Sequence, residues 1–122
     1  MAYNTDALDE ESRQLLVASV NESLSSIGEK FKEAIIRHVN RRTGLTLNDV
    51  VDRHRDFMAP VIEILGKGAV HVLEVDMARR FYNKLGLVFV ETGGHGLAGY
   101  LEEAKKQLLE RRSKDRFGKG SE

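Results

Sequence analysis

Apolar residues recur along most of the chain at helical intervals. Val70, Leu73, Met77 and Phe81 fall at i, i+3, i+7 and i+11, and Val72, Val75, Ala78 and Tyr82 form a second flank. A helix with two apolar sides predicts a central element covered by others. Gly66 and Gly68 open it, and Gly86 followed by Leu87 is the pattern of a left-handed closing residue with an apolar partner. Upstream, Leu16, Val20, Leu24, Ile27, Phe31, Ile35 and Val39 advance by three or four, compatible with one stripe from about residue 10 to about residue 42. About 32 helical residues would extend roughly 48 Å. A compact domain of this size is only roughly 35 Å across. An unbroken helix would project beyond the domain and need a partner along its length; the favoured alternative is a break or kink at Ser25-Ser26-Ile27-Gly28, with Ser25 or Ser26 capping the second helix and Glu29 completing a capping box.

The remaining elements follow from caps and punctuation. Residues 1–8 read as a frayed lead-in, and Asp9 is placed to cap the first helix. Thr43-Gly44-Leu45 ends the second, and Thr46 with Asp49 starts a short helix to about His54 that turns Leu47, Val50 and Val51 inward. Asp56 is the expected cap of the next helix, with Pro60 near its first turn. Val88-Phe89-Val90 is a strand-like run, and without a second strand it reads as an extended connector. Leu97, Tyr100, Leu101, Ala104 and Leu108 mark a last amphipathic helix to about Arg112. Residues 113–122 alternate in charge and read as a disordered tail. The expectation is an all-α fold: a single compact bundle of five or six helices over residues 1–112, with a flexible C-terminal tail.

Composition narrows the chemistry. The 122 residues are 41% hydrophobic and 31% charged, with no cysteine, which removes disulfides, thiolate catalysis and Cys-based zinc sites together. No apolar run approaches the ~20 residues that span a bilayer, and the acidic start is unlike a secretion signal, so a cytoplasmic chain without membrane contact is expected. Charge is balanced overall but unevenly spread. Residues 1–27 carry one arginine against five carboxylates, whereas residues 28–56 and 97–122 each carry seven basic residues against five acidic ones.

Four constellations bear on function. Arg37, Arg41, Arg42, Arg53 and Arg55 form a basic patch over residues 37–55, and Thr43 to His54 has the length of the turn and second helix of a helix-turn-helix. Asp49, Asp52 and Asp56 interleave with the arginines and oppose phosphate. Gly93, Gly94, His95 and Gly96 precede a helix whose free amides suit an anion, although the loop is neither a Walker nor a Rossmann motif; a hinge carrying the last helix is the other reading. His71 and Glu74 share a helical face while Asp76 lies about 200° from Glu74, so the three do not converge on a metal. Neither a nucleophile elbow nor a facing carboxylate pair is present, so no catalytic residue, metal ligand or cofactor is expected.

Asn21-Glu22-Ser23-Leu24-Ser25-Ser26-Ile27-Gly28-Glu29, Ala34-Ile35, Arg42-Thr43-Gly44-Leu45, Ile64-Leu65-Gly66-Lys67-Gly68-Ala69 and Arg80-Phe81-Tyr82-Asn83-Lys84-Leu85-Gly86-Leu87 together resemble the archaeal Nitrosopumilus output domain over residues ~20–90. The resemblance implies an all-helical module of archaeal signal transduction that acts as an output or interaction unit and has no catalytic residues. The expected mechanism is surface burial in a homodimer or against a signalling partner. Leu16, Val20, Leu24, Tyr100, Leu101 and Leu108 of the outer amphipathic helices would make the contacts. The alternative is a nucleic-acid-binding regulator that uses the patch at 37–55.

Overall fold

The computed structural model describes the backbone of residues 8–121 and the side chains through Ser113. Asp9 starts the first helix as the sequence predicts: its carboxylate accepts a hydrogen bond from the Ser12 amide at 2.9 Å, and Glu10 and Glu11 fill the acidic first turn of α1 (Glu10–Ser25). Leu8, expected within a frayed lead-in, is instead buried in the core. The rest of that lead-in lies outside the described residues.

The long stripe breaks where length required it. α2 (Glu29–Thr43) follows a short turn, but its N-cap is Gly28 with no side-chain cap, so neither Ser25 nor Ser26 plays the expected part. Ser26 closes α1, its hydroxyl donating to the Ser23 carbonyl at 2.6 Å. The turn takes Ile27 and Phe31 out of the stripe, and both are exposed. Leu16, Val20, Leu24, Ile35 and Val39 are fully buried.

After Gly44 a four-residue 3-10 turn (Leu47–Val50) stands where a short helix was expected, with the Thr46 amide donating to the Asp49 carboxylate at 2.8 Å. α3 (His54–Leu65) begins two residues before Asp56. Asp56 is therefore no cap: it accepts from Arg53 instead, and Pro60 sits in the second turn, leaving the Asp56 carbonyl without its i+4 amide. α4 (Lys67–Leu85) is the covered central element, packing on α1, α3 and α5. Its C-terminus shows the predicted signature in full. Gly86 adopts φ 70°, its amide donates to Asn83 at 3.2 Å, and the Leu87 amide donates to Tyr82 at 2.9 Å.

α5 (Leu97–Ser121) does not stop near Arg112; its helical backbone continues through the stretch expected to be a tail. A helix anchored over its first turns adds a hydrogen bond per residue fixed, so the backbone propagates past Arg112 even through the poor helix formers Gly118 and Gly120. The structure is all-helical, with five α-helices and no strand among the described residues. The buried residues of every helix join one core, in which Phe57, Met77, Phe81, Tyr82 and Tyr100 are the bulky members.

Candidate interaction surface

The six residues expected to meet a partner do not reach the surface. Leu16, Val20, Leu24, Tyr100, Leu101 and Leu108 are between 0% and 8% exposed and belong to the core of a single copy. Helix periodicity identifies an apolar stripe but not what covers it. Here α4 covers the α1 stripe and most of the α5 stripe, which leaves neither for an outside contact.

The apolar surface lies elsewhere. Val72, expected on the second flank of α4, is 67% exposed, and Val88 and Val90 on the connector are 69% and 68% exposed. Val72 and Ile27 line a groove of about 400 Å³ with Ser26, His71, Asp76, Arg79, Arg80 and Glu91. Arg79 joins that groove to the connector, since its guanidinium lies 5.4 Å from the Phe89 ring centroid and 3.7 Å from the Glu91 carboxylate. Phe89 itself packs inward, edge-on to Tyr82 at 5.3 Å and against Tyr100 at 5.2 Å.

Charges around the groove are matched within the molecule. Asp76 is part-buried, which by itself raises its pKa. The Arg80 hydrogen bond at 2.8 Å and the nearby Ser23 hydroxyl outweigh that and hold the carboxyl below its ordinary range. The Lys84 ammonium, at 2.9 Å, does the same for Glu22, with Arg80 assisting.

The positions considered for a metal and for an anion have different outcomes. The Glu74 carboxylate is engaged elsewhere: it accepts the Leu97 amide at 3.0 Å, at the first turn of α5. The helix start preceded by Gly93, Gly94, His95 and Gly96 thus already holds an anion, supplied by the chain itself. The anion-site reading of that loop is corrected accordingly. Gly96 belongs to this contact, because a Cβ there would sit 2.8 Å from the Glu74 oxygen. Among the described residues no cluster of three metal-ligating side chains occurs.

The basic patch is partly neutralised. Arg42 grips Glu63 with two hydrogen bonds at 3.2 and 2.9 Å, His38 shares that carboxylate, and Arg53 pairs with Asp56 at 2.9 Å. The Arg42 hydrogen bond, then that of His38, holds Glu63 below its ordinary pKa. Arg37, Arg41 and Arg55 are exposed and make no ion pair among the described residues. The helix-turn-helix expectation is not met, since a four-residue 3-10 turn gives no recognition helix between Thr43 and His54.

Sequence reasoning missed this surface for two reasons. Val72 sits among buried valines and shares their period, and Val88 and Val90 sit in a run too short to score as a strand. The alternation of half-buried Leu87 and Phe89 with exposed Val88 and Val90 was the available signal. No family model matches the chain, and no curated protein or solved structure shows significant similarity to it.

Proposed function

We propose that this chain is a non-catalytic interaction module, of the output-domain kind in archaeal signal transduction, that works by self-association into a homodimer. Two exposed apolar patches, Ile27 with Val72 on the groove and Val88 with Val90 on the connector, carry the reading. A single exposed valine is ordinary, but several on adjoining elements of a chain that is 31% charged favour a contact site. Among the described residues the carboxylates and arginines around the groove are paired within one copy, which favours a like partner, because two copies meet there without repulsion.

Sedimentation equilibrium from micromolar to millimolar protein tests this. The mean mass is expected to rise towards twice the monomer mass. The combined Val72→Asp and Val90→Asp variant is expected to stay monomeric with unchanged helicity and melting temperature, since both side chains stand outside the core. A wild-type chain that remains monomeric at millimolar concentration would overturn the reading.

A further inference from the structure

The connector that carries Val88 and Val90 has one occupied edge and one open edge. Gln107 of α5 imitates a neighbouring strand: its side chain donates to the Val88 carbonyl at 2.9 Å and accepts from the Val88 amide at 3.1 Å. The Val90 carbonyl accepts from the Thr92 hydroxyl at 3.4 Å. In an extended chain the amide and carbonyl of alternate residues point to opposite edges. The groups of Phe89 and Glu91 therefore face the other way, and they make no hydrogen bond among the described residues. Side-chain burial alternates in the same register, with Phe89 packed inward and Val88 and Val90 outward. The Val-Phe-Val run also lacks the Lys or Pro that ordinarily blunts an exposed edge.

We infer that this open edge pairs antiparallel with the same segment of a second copy, on a two-fold axis through Phe89, so that Val88 of one chain stands opposite Val90 of the other. The inference rests on the proposed self-association and names its geometry. The segment is its own complement: the residue on either side of Phe89 is valine, so an isologous pairing matches apolar to apolar at both positions. The two Phe89 residues exchange a pair of backbone hydrogen bonds, and each Glu91 amide meets a Leu87 carbonyl across the axis. Glu91 opposes Leu87 rather than another carboxylate, and its charge is already matched by Arg79 of its own copy. An unrelated peptide would gain the backbone bonds but not this side-chain register.

The chain has no cysteine, so introduced thiols report the register directly. Opposed residues in a non-hydrogen-bonded pair have Cα atoms about 4.5 Å apart, within disulfide range. Residues two positions out of register are roughly 7–8 Å apart, beyond it. Val88→Cys and Val90→Cys proteins, one of them isotope-labelled, are mixed under mild oxidation and the products weighed. The mixed 88–90 disulfide is expected in excess of random pairing, with little of either homodisulfide. Glu91→Pro, which removes the outward amide, is expected to abolish the dimer, whereas Glu91→Asp, which keeps both the amide and the charge opposite Arg79, keeps it. Equal or preferred homodisulfides, or wild-type dimerisation that leaves 88 and 90 unlinked, would overturn the pairing while leaving self-association intact. A wild-type monomer in sedimentation ends both readings.

Discussion

Glu74 ties α4 to the start of α5 through its carboxylate. It leaves the middle of α4 to accept the first amide of α5, where an unpaired N–H and the positive end of the helix dipole favour a negative partner. Glu74→Ala is expected to cost about 1 kcal/mol, the usual worth of such a cap. Gly96→Ala acts on the same contact from the other side, since its Cβ would meet the flexible end of Glu74 at 2.8 Å and push it off Leu97. The two losses are therefore one loss counted twice. In a double-mutant cycle read by urea denaturation, Gly96→Ala is expected to cost little once Glu74 is alanine, a coupling of about 1 kcal/mol. Additive values would show that Gly96→Ala does not act through the Glu74–Leu97 contact.

His54 offers a second residue-level test. Its Nδ1 is buried with no hydrogen-bond partner among the described residues, and desolvation lowers the pKa of the ring; Arg55 and Lys105 push the same way, against the Val51 backbone and Glu74. Above the ordinary imidazole value of about 6.5 both folded and unfolded chains are neutral at this position and the full stability is present. As pH falls below that value the unfolded chain takes up the proton first, so stability declines until the depressed folded pKa is reached. Urea midpoints are expected to drop between pH 7.5 and pH 5.5, and His54→Gln is expected to reduce that drop. Carboxylates held low by ion pairs, such as Glu63 and Glu22, add a separate loss at more acid pH.

Among the elements, those whose ends are written in local chemistry were legible in the sequence, and those set by packing were not. Gly86-Leu87 forecast a closing motif that the structure shows bond by bond, because a left-handed residue and its apolar follower are local requirements. Gly86→Ala is accordingly expected to lower stability by about 1 kcal/mol through backbone strain alone, the nearest atom to its Cβ being 3.8 Å away. Calorimetric melting checks this, and an unchanged midpoint would mean that the helix ends without the motif. The break before Gly28 was legible from length. Its consequence for Ile27 and Phe31 was not, because a period carries no knowledge of where the chain turns. The start of α3 was misplaced because Arg53 claims Asp56, a pairing that competes with capping and leaves no mark on spacing. The interaction surface was hidden by the same ignorance. Leu16 and Val72 look alike as apolar helix positions, and only the placement of α4 between its neighbours buries one and exposes the other.

At the scale of the whole molecule, the question is whether the arginines between 37 and 55 act as a phosphate-binding face or as surface ion pairs. Each phosphate neutralised on duplex DNA contributes about −0.9 to the slope of log affinity against log salt. Arg42 and Arg53 are engaged with Glu63 and Asp56, leaving Arg37, Arg41 and Arg55 for an outside anion, with exposed Asp52 and Asp56 beside them. Three contacts would give a slope near −2.7, or about a 40-fold loss of affinity between 50 and 200 mM salt; all five would give about −4.5 and roughly 500-fold. A salt-titrated gel shift is expected to show at most weak, sequence-independent retention at 50 mM, with a slope no steeper than about −3. Surface ion pairs are worth little individually, so phosphate can compete for both arginines if the patch is a true interface. A slope beyond about −4 would show that it does. Phosphate binding over residues 37–55 would then be a principal activity of the chain, alongside any self-association through the connector.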